Sequence, residues 1–340
     1  MAHPAPETDI LILKVSAAGD IKWEARVDID AYDRPDVLAE FPGGYALAVT
    51  EYGREGSTAH ILTYNEHGDA RGRMNAEVGF GRVTALVPAD GGGFLVATEM
   101  PGLVRVGARG EVLWERSFAG EDQGMVPVSL LAQNGQYVAA WEDKVACFDE
   151  NGTRIWQTAL DAAGGIGYHP VYPAPEGGVL VFAEGPDVFS GDRFEVYLQA
   201  VRLDENGTVL WTQDFGGEEL NELLGARETA PGEFAVLYRS VTHSGNFWGG
   251  TERVSHGHLA TLNDDGEVTG HHAIEGSGGA MIPAENGYLS VTAAGAGSTL
   301  VGRDITGHEV WRQEQPIDPY SFRGIGTADG GYLIAGSVAA

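Results

Sequence analysis

The chain has 340 residues, 49 of them acidic and 21 basic, for a net charge of −28; it holds 50 glycines and a single cysteine. With no cluster of Lys and Arg to neutralise phosphates, nucleic acid and anionic membranes are excluded as expected partners. One cysteine excludes an internal disulfide, and no apolar run approaches the length of a membrane span.

Taken in chain order, the predicted elements begin with two strands, 9–15 and 20–27, around a turn at Gly19. A phrase ending Gly-x-x-x-Trp makes that turn and returns with its glycine at Gly68, Gly110, Gly152, Gly207, Gly266 and Gly307; Asp or Asn stands three residues before the glycine in five copies, Ser16 and Gly107 in the other two. Four residues on stand Trp23, Trp114, Trp156, Trp211 and Trp311, with Gly72 and Gly270 in the two remaining copies. Between these turns lies a second phrase, a glycine turn followed by an apolar run. Its copies are Gly43-Gly44-Tyr45, Gly92-Gly93-Phe94, Gly135-Gln136-Tyr137, Gly177-Gly178-Val179, Gly232-Glu233-Phe234, Asn286-Gly287-Tyr288 and Gly330-Gly331-Tyr332. Both phrases are hairpin chemistry, because glycine accepts the positive φ that closes a short turn between alternating strands. No stretch carries sustained helical periodicity.

One unit, residues 168–215, reads as four strands: 168–174, 179–183, 195–204 and 208–215. Repetition of such a unit predicts a β-propeller with seven four-stranded antiparallel blades, formed by residues 1–340 as a single domain. The chain starts with the third and fourth strands of a unit and ends with the first and second, 321–328 and 332–338. Pairing these halves closes the last blade and removes the open sheet edges.

The run Asp329-Gly330-Gly331-Tyr332-Leu333-Ile334-Ala335-Gly336, together with the tryptophan-ended hairpin, resembles bacterial and archaeal propeller repeats that alternate these two phrases. The hairpin is also similar to the blades of quinoprotein-like propellers. That wider group includes quinone-dependent dehydrogenases with eight blades and assembly scaffolds. The resemblance implies the fold and leaves the activity open, since no constellation for a metal and a quinone is present.

Function is expected where loops vary on a rigid frame. Two connections between second and third strands are long, 184–194 and 240–255. Phe247 and Trp248 in the second, with His243 and Arg253 beside them and Phe189 in the first, form a candidate surface for a protein partner; covering part of the propeller's own surface is the alternative for the two aromatics. First strands are mostly apolar or small, which weighs against an enzyme. His169, Arg227 and Arg323 are the exceptions, and they define an alternative site for a small ligand or a reaction at the channel mouth, unless they pair with nearby acids. His256 and His258, two apart on one strand, face His271 or His272 on the returning strand, a set that could hold zinc or nickel. Carboxylates gather at Asp28, Asp30, Asp33 and Asp36, at Glu121 and Asp122, and at Glu218, Glu219 and Glu222. Calcium takes such ligands, yet no Asp-x-Asp-x-Asp-Gly loop occurs, and no cofactor is expected. Only Lys14, Lys22 and Lys144 are lysines, a composition suited to a high-salt cytoplasm, where self-repulsion is screened. The start, Met1-Ala2-His3-Pro4-Ala5-Pro6, lacks the basic and apolar regions of a signal peptide, so a cytoplasmic location is expected, with a secreted protein already freed of its leader as the alternative. The sequence thus points to a non-catalytic interaction scaffold.

Overall fold

A computed structural model describes residues 8–29, 34–52, 57–77, 81–99, 102–118, 126–160, 170–174, 177–190, 193–216, 220–244, 252–274, 280–295 and 297–340. Strands β1 (Thr8–Val15) and β2 (Ile21–Val27) come first. Blade 1 holds β3 (Val37–Phe41), β4 (Gly44–Tyr52), β5 (Ser57–Asn65) and β6 (Ala70–Glu77). Blade 2 holds β7 (Val83–Pro88), β8 (Phe94–Thr98), β9 (Gly102–Val106) and β10 (Val112–Ser117). Blade 3 holds β11 (Ser129–Gln133), β12 (Gln136–Ala140), β13 (Lys144–Phe148) and β14 (Arg154–Ala159). In blade 4 stand β15 (Val171–Pro173), β16 (Val179–Ser190), β17 (Arg193–Leu203) and β18 (Val209–Phe215). Blade 5 has β19 (Leu220–Ala230), β20 (Glu233–Ser244), β21 (Glu252–Asn263) and β22 (Val268–Ile274). Blade 6 has β23 (Ala280–Ala284), β24 (Gly287–Ala294), β25 (Gly297–Asp304) and β26 (Glu309–Gln315). Last come β27 (Arg323–Gly326) and β28 (Tyr332–Ala339).

The closing blade has the order β2-β1-β28-β27, with β1 and β28 paired from Thr8↔Ala339 to Val15↔Tyr332. The chain ends therefore share one sheet, as the split repeat predicts, and the fold is a seven-bladed β-propeller. Close packing divides the chain into two compact units, 1–127 with 291–302 and 309–340, and 128–290 with 303–308.

Local chemistry explains the hairpins. In blade 3 the Asp149 Oδ1 accepts the N–H groups of Asn151 and Thr153 at 2.9 and 2.7 Å, and in blade 4 Asp204 does the same for Asn206 and Thr208 at 2.9 and 2.8 Å. Each such side chain stands in for a backbone turn. All seven phrase glycines take positive φ, between 77° and 91°. Burial then grades across a blade. The third strands of blades 2 and 3 are buried throughout, whereas fourth strands such as β10 and β14 alternate exposed and half-buried residues, with the tryptophan on the half-buried side.

Those tryptophans clasp neighbouring blades. The indole N–H of Trp23 donates to Glu66 O at 3.0 Å, that of Trp156 to Glu205 O at 2.9 Å and that of Trp311 to Ala17 O at 3.0 Å. Each ring lies over the glycine two residues past its acceptor. A Cβ on Gly68, Gly207 or Gly19 would meet the indole at 2.5–2.6 Å. Glycine is needed there twice over, for its φ and for the approach of the ring. Cys147 lies in the third strand of blade 3 and is 1% exposed; burial pushes its thiol up to about 11, which makes it an inert packing residue.

Blades 4 and 5 depart from the frame. Their second and third strands run 11–12 residues, against five in blade 3. The two long connections expected as loops are largely hairpin arms. Pairing continues from Asp187↔Val196 to Ser190↔Arg193 in one, and to Ser244↔Glu252 in the other.

Candidate functional site

The arms are joined at their base. A parallel bridge, Val196↔Leu220, merges blades 4 and 5 into one sheet. Asn221, only 4% exposed, donates from Nδ2 to Val196 O at 2.7 Å. The Glu184 carboxylate accepts the Leu223 N–H at 3.2 Å, and Arg239 pairs with Glu222 across β19 and β20. Seven residues of β16, from 184 to 190, extend past the strand predicted for that blade, a reach of roughly 23 Å at about 3.3 Å per residue. His243, Arg253 and Phe189 have their backbones on these arms. Phe247 and Trp248 lie outside the described residues.

The histidines separate. His258 stacks on Tyr238 at 4.8 Å and on His271 at 5.1 Å. Ser240 Oγ bonds His258 Nε2 at 2.8 Å, and Tyr238 Oη bonds His271 Nε2 at 3.0 Å. His256 is exposed, and His272, opposite Leu259, takes the other face of β22. Among the described residues no group of three or more His, Cys, Asp or Glu is placed to hold a metal ion.

Of the three polar residues at the first strands, His169 lies outside the described residues, and Arg227 is half-buried on β19. Arg323 heads a cluster that sequence reasoning missed. Its Nε donates to Asp36 O at 2.8 Å and its Nη1 to Phe322 O at 2.8 Å. Asp36 is 6% exposed; its Oδ2 accepts the Thr50 hydroxyl at 2.5 Å, and its Oδ1 lies 3.8 Å from Arg82 Nε. Arg82 reaches Glu99 at 3.3 Å, and Thr50 Oγ1 also accepts the Val83 N–H at 3.1 Å. Asp36 thus ties three blades at the entry of their first strands: its carboxyl faces Thr50 of blade 1 and Arg82 of blade 2, and its backbone carbonyl holds Arg323 of the closing blade, blade 7. Burial outweighs the help of Thr50, Arg82 and Arg323 and pushes Asp36 up to about 6. Burial likewise depresses Arg323, with Arg82 adding to it. In the sequence Asp36 is one of many acids; its partners stand 14 to 287 residues away, so no local pattern marks it.

A second feature lies at the opposite, hairpin end of blades 1 and 2. A cleft of about 300 Å³ opens there, lined by Phe41, Thr63, Arg71, Met74, Phe94 and Ala108 among others. It sits where blade 1 carries Gly72 in place of the tryptophan.

Residues 141–230 match the family described as outer membrane protein assembly factor BamB. No curated protein matches the chain. Among solved structures, the WD40 domain of Toxoplasma gondii coronin is 10% identical with a TM-score of 0.54, covering 99% of this chain and 88% of that one. A protein of unknown function from Bacteroides caccae is 13% identical with a TM-score of 0.45, covering 78% of this chain and 93% of its own. The WD40 propeller domain of Doa1 is 12% identical at a TM-score of 0.47, covering 89% and 93% of the two chains. At such identity the likeness to coronin speaks for the fold, and the chain is similar to propellers of both the assembly-factor and WD40 kinds.

Proposed function

We propose that this protein is a non-catalytic platform for protein–protein interaction, and that the paired arms of blades 4 and 5 are its docking element. The observation that carries this is the departure of those two blades from the repeat: arms of β16–β17 and β20–β21 that outrun the blade and are braced by Asn221 and the Val196↔Leu220 bridge. A rigid, pre-ordered projection lowers the ordering cost of binding. The part of the chain that matches the family described as an assembly factor, 141–230, includes one of the arms. Phe247 and Trp248, which follow Ser244 in the sequence between the two strands of the second arm, are the aromatic contacts of choice. The protein works in high salt, where its charge of −28 is screened.

The test is affinity capture from the native host with three forms of the chain: intact, Trp248→Ala, and one with residues 186–192 and 243–252 each replaced by a two-residue turn. A stoichiometric partner held by the intact chain and lost by the other two supports the reading. Equal capture by all three removes the arms from the interface.

A second reading is a small-ligand site at the first strands of blades 7, 1 and 2. It is favoured by Asp36, a buried acid raised to about 6 beside Arg82 and Arg323. Saturable binding of an anionic metabolite that weakens in Arg82→Ala would support it; no binding across a panel of such anions would remove it.

A further inference from the structure

The cleft at Gly72 has a shape that the rest of the chain explains. In the three clasps already described, the acceptor of the indole N–H stands two residues before the hairpin glycine: Glu66 before Gly68, Glu205 before Gly207, Ala17 before Gly19. The same register on the hairpin of blade 2, whose glycine is Gly110, puts Ala108 in the acceptor position. Ala108 lines the cleft. Across the strand pair, the partner of the tryptophan is Lys14, Arg105, Cys147 or Arg202, and the partner of Gly72 is Thr63, which also lines the cleft. A Cβ on Gly72 would find only Thr63 Oγ1, at 3.8 Å. Gly110, which in other blades would lie under an indole, meets instead the Met74 Cβ position at 3.2 Å. The cleft is thus the slot of a missing tryptophan. It keeps the carbonyl position, the glycine turn and apolar walls from Phe41, Met74 and Phe94, with Arg71 as a cation able to lie against a π face. At about 300 Å³ it is of the size of small binding pockets, roughly 300–1,000 Å³.

We infer that this slot receives the tryptophan side chain of a protein partner, whose indole N–H donates to the Ala108 carbonyl as the chain's own indoles do to Glu66, Glu205 and Ala17. The chain itself shows which group fits: the same hairpin geometry takes an indole over Gly19, Gly68, Gly207 and Gly266. The inference adds a specificity element to the interaction platform and rests on that reading, but it involves no residue of the arms. Shortened arms and a filled slot are therefore separable tests.

The experiment uses the full chain with its five methionines labelled at the methyl carbon, and capped Gly-Ser-Xaa-Ser-Gly peptides in which Xaa is tryptophan, 1-methyltryptophan or phenylalanine. Met74→Leu assigns the reporting signal. The tryptophan peptide should move the Met74 methyl upfield by ring current, saturably and at roughly millimolar concentration, as suits one side chain. Loss of the N–H in 1-methyltryptophan should weaken binding about fivefold to tenfold. Gly72→Trp should fill the slot, abolish the shift and raise the melting temperature; Gly270→Trp, in the other blade lacking the residue, should leave binding intact. Because the Met74 signal is read on the unaltered chain, the test does not depend on the variants folding. Equal binding of the 1-methyl or phenylalanine peptide, or no movement of Met74, would overturn the inference. Free indole binding tighter than the peptide would assign the slot to a small molecule and overturn the partner.

Discussion

Asp36→Asn isolates the buried acid that joins blades 7, 1 and 2. The carboxyl lies at about 6 in the fold against 3.8 when free, so the folded chain holds a proton that the unfolded chain releases between those values. Folding is therefore favoured by protonation. The native protein should lose about 3 kcal/mol of stability as pH rises from below 4 to above 6, relative to a variant with no titrating group there. About 1.4 kcal/mol of that falls between pH 5 and 7.5, a window above the isoelectric point near 4.5. Asparagine keeps an oxygen for the Thr50 hydroxyl and removes the charge. The assay is urea unfolding of both proteins, followed by tryptophan fluorescence at fixed salt from pH 5 to 7.5, with the difference in stability plotted against pH. The difference should shift in favour of the native protein as pH falls and flatten above about 7. A flat difference would refute the reasoning. A flat difference across this window is what Arg82 and Arg323 would give by holding the carboxylate ionised, and the cluster would then be an ion pair rather than a desolvated acid.

Trp156→Ala removes a half-buried ring and its bond to Glu205 and should cost about 2–3 kcal/mol; Trp156→Phe, which keeps much of the area, should cost about 1 kcal/mol, both read by urea midpoints. In the closing blade, Lys14 is 2% exposed and reaches Asp329 at 2.8 Å. Asp329 itself is 59% exposed, so water can reach the ammonium once the carboxylate is gone; Asp329→Ala should cost about 1–2 kcal/mol, whereas Lys14→Met should be close to neutral, and equal costs for the two would contradict this. Melting temperature should rise steeply between low and molar KCl as the charge of −28 is screened; a flat response removes the high-salt setting.

Most of the frame was legible because its devices are local. The repeated hairpins announce themselves through a glycine at positive φ, in five copies with an Asp or Asn turn such as Asp204, and the split repeat located the blade shared by β1 and β28. The arms were not legible. Residues such as Thr242-His243-Ser244 and Glu252-Arg253 show no apolar alternation, so a hairpin extending past the core reads as loop. Histidine spacing brought His271 or His272 opposite His258 without choosing between them, and did not show that Ser240 and Tyr238 bond ring nitrogens of His258 and His271. The Asp36 cluster is assembled by topology from separate blades. Gly72 was visible as a departure from the phrase, yet its meaning required knowing which way the other tryptophans point.

The most direct test of the interaction account is hydrogen exchange on the complex with the partner captured from the native host. The account predicts slowed exchange in the distal halves of Val179–Ser190, Arg193–Leu203, Glu233–Ser244 and Glu252–Asn263. Protection confined to the first strands around Asp36 and Arg323, with the arms unchanged, would contradict it.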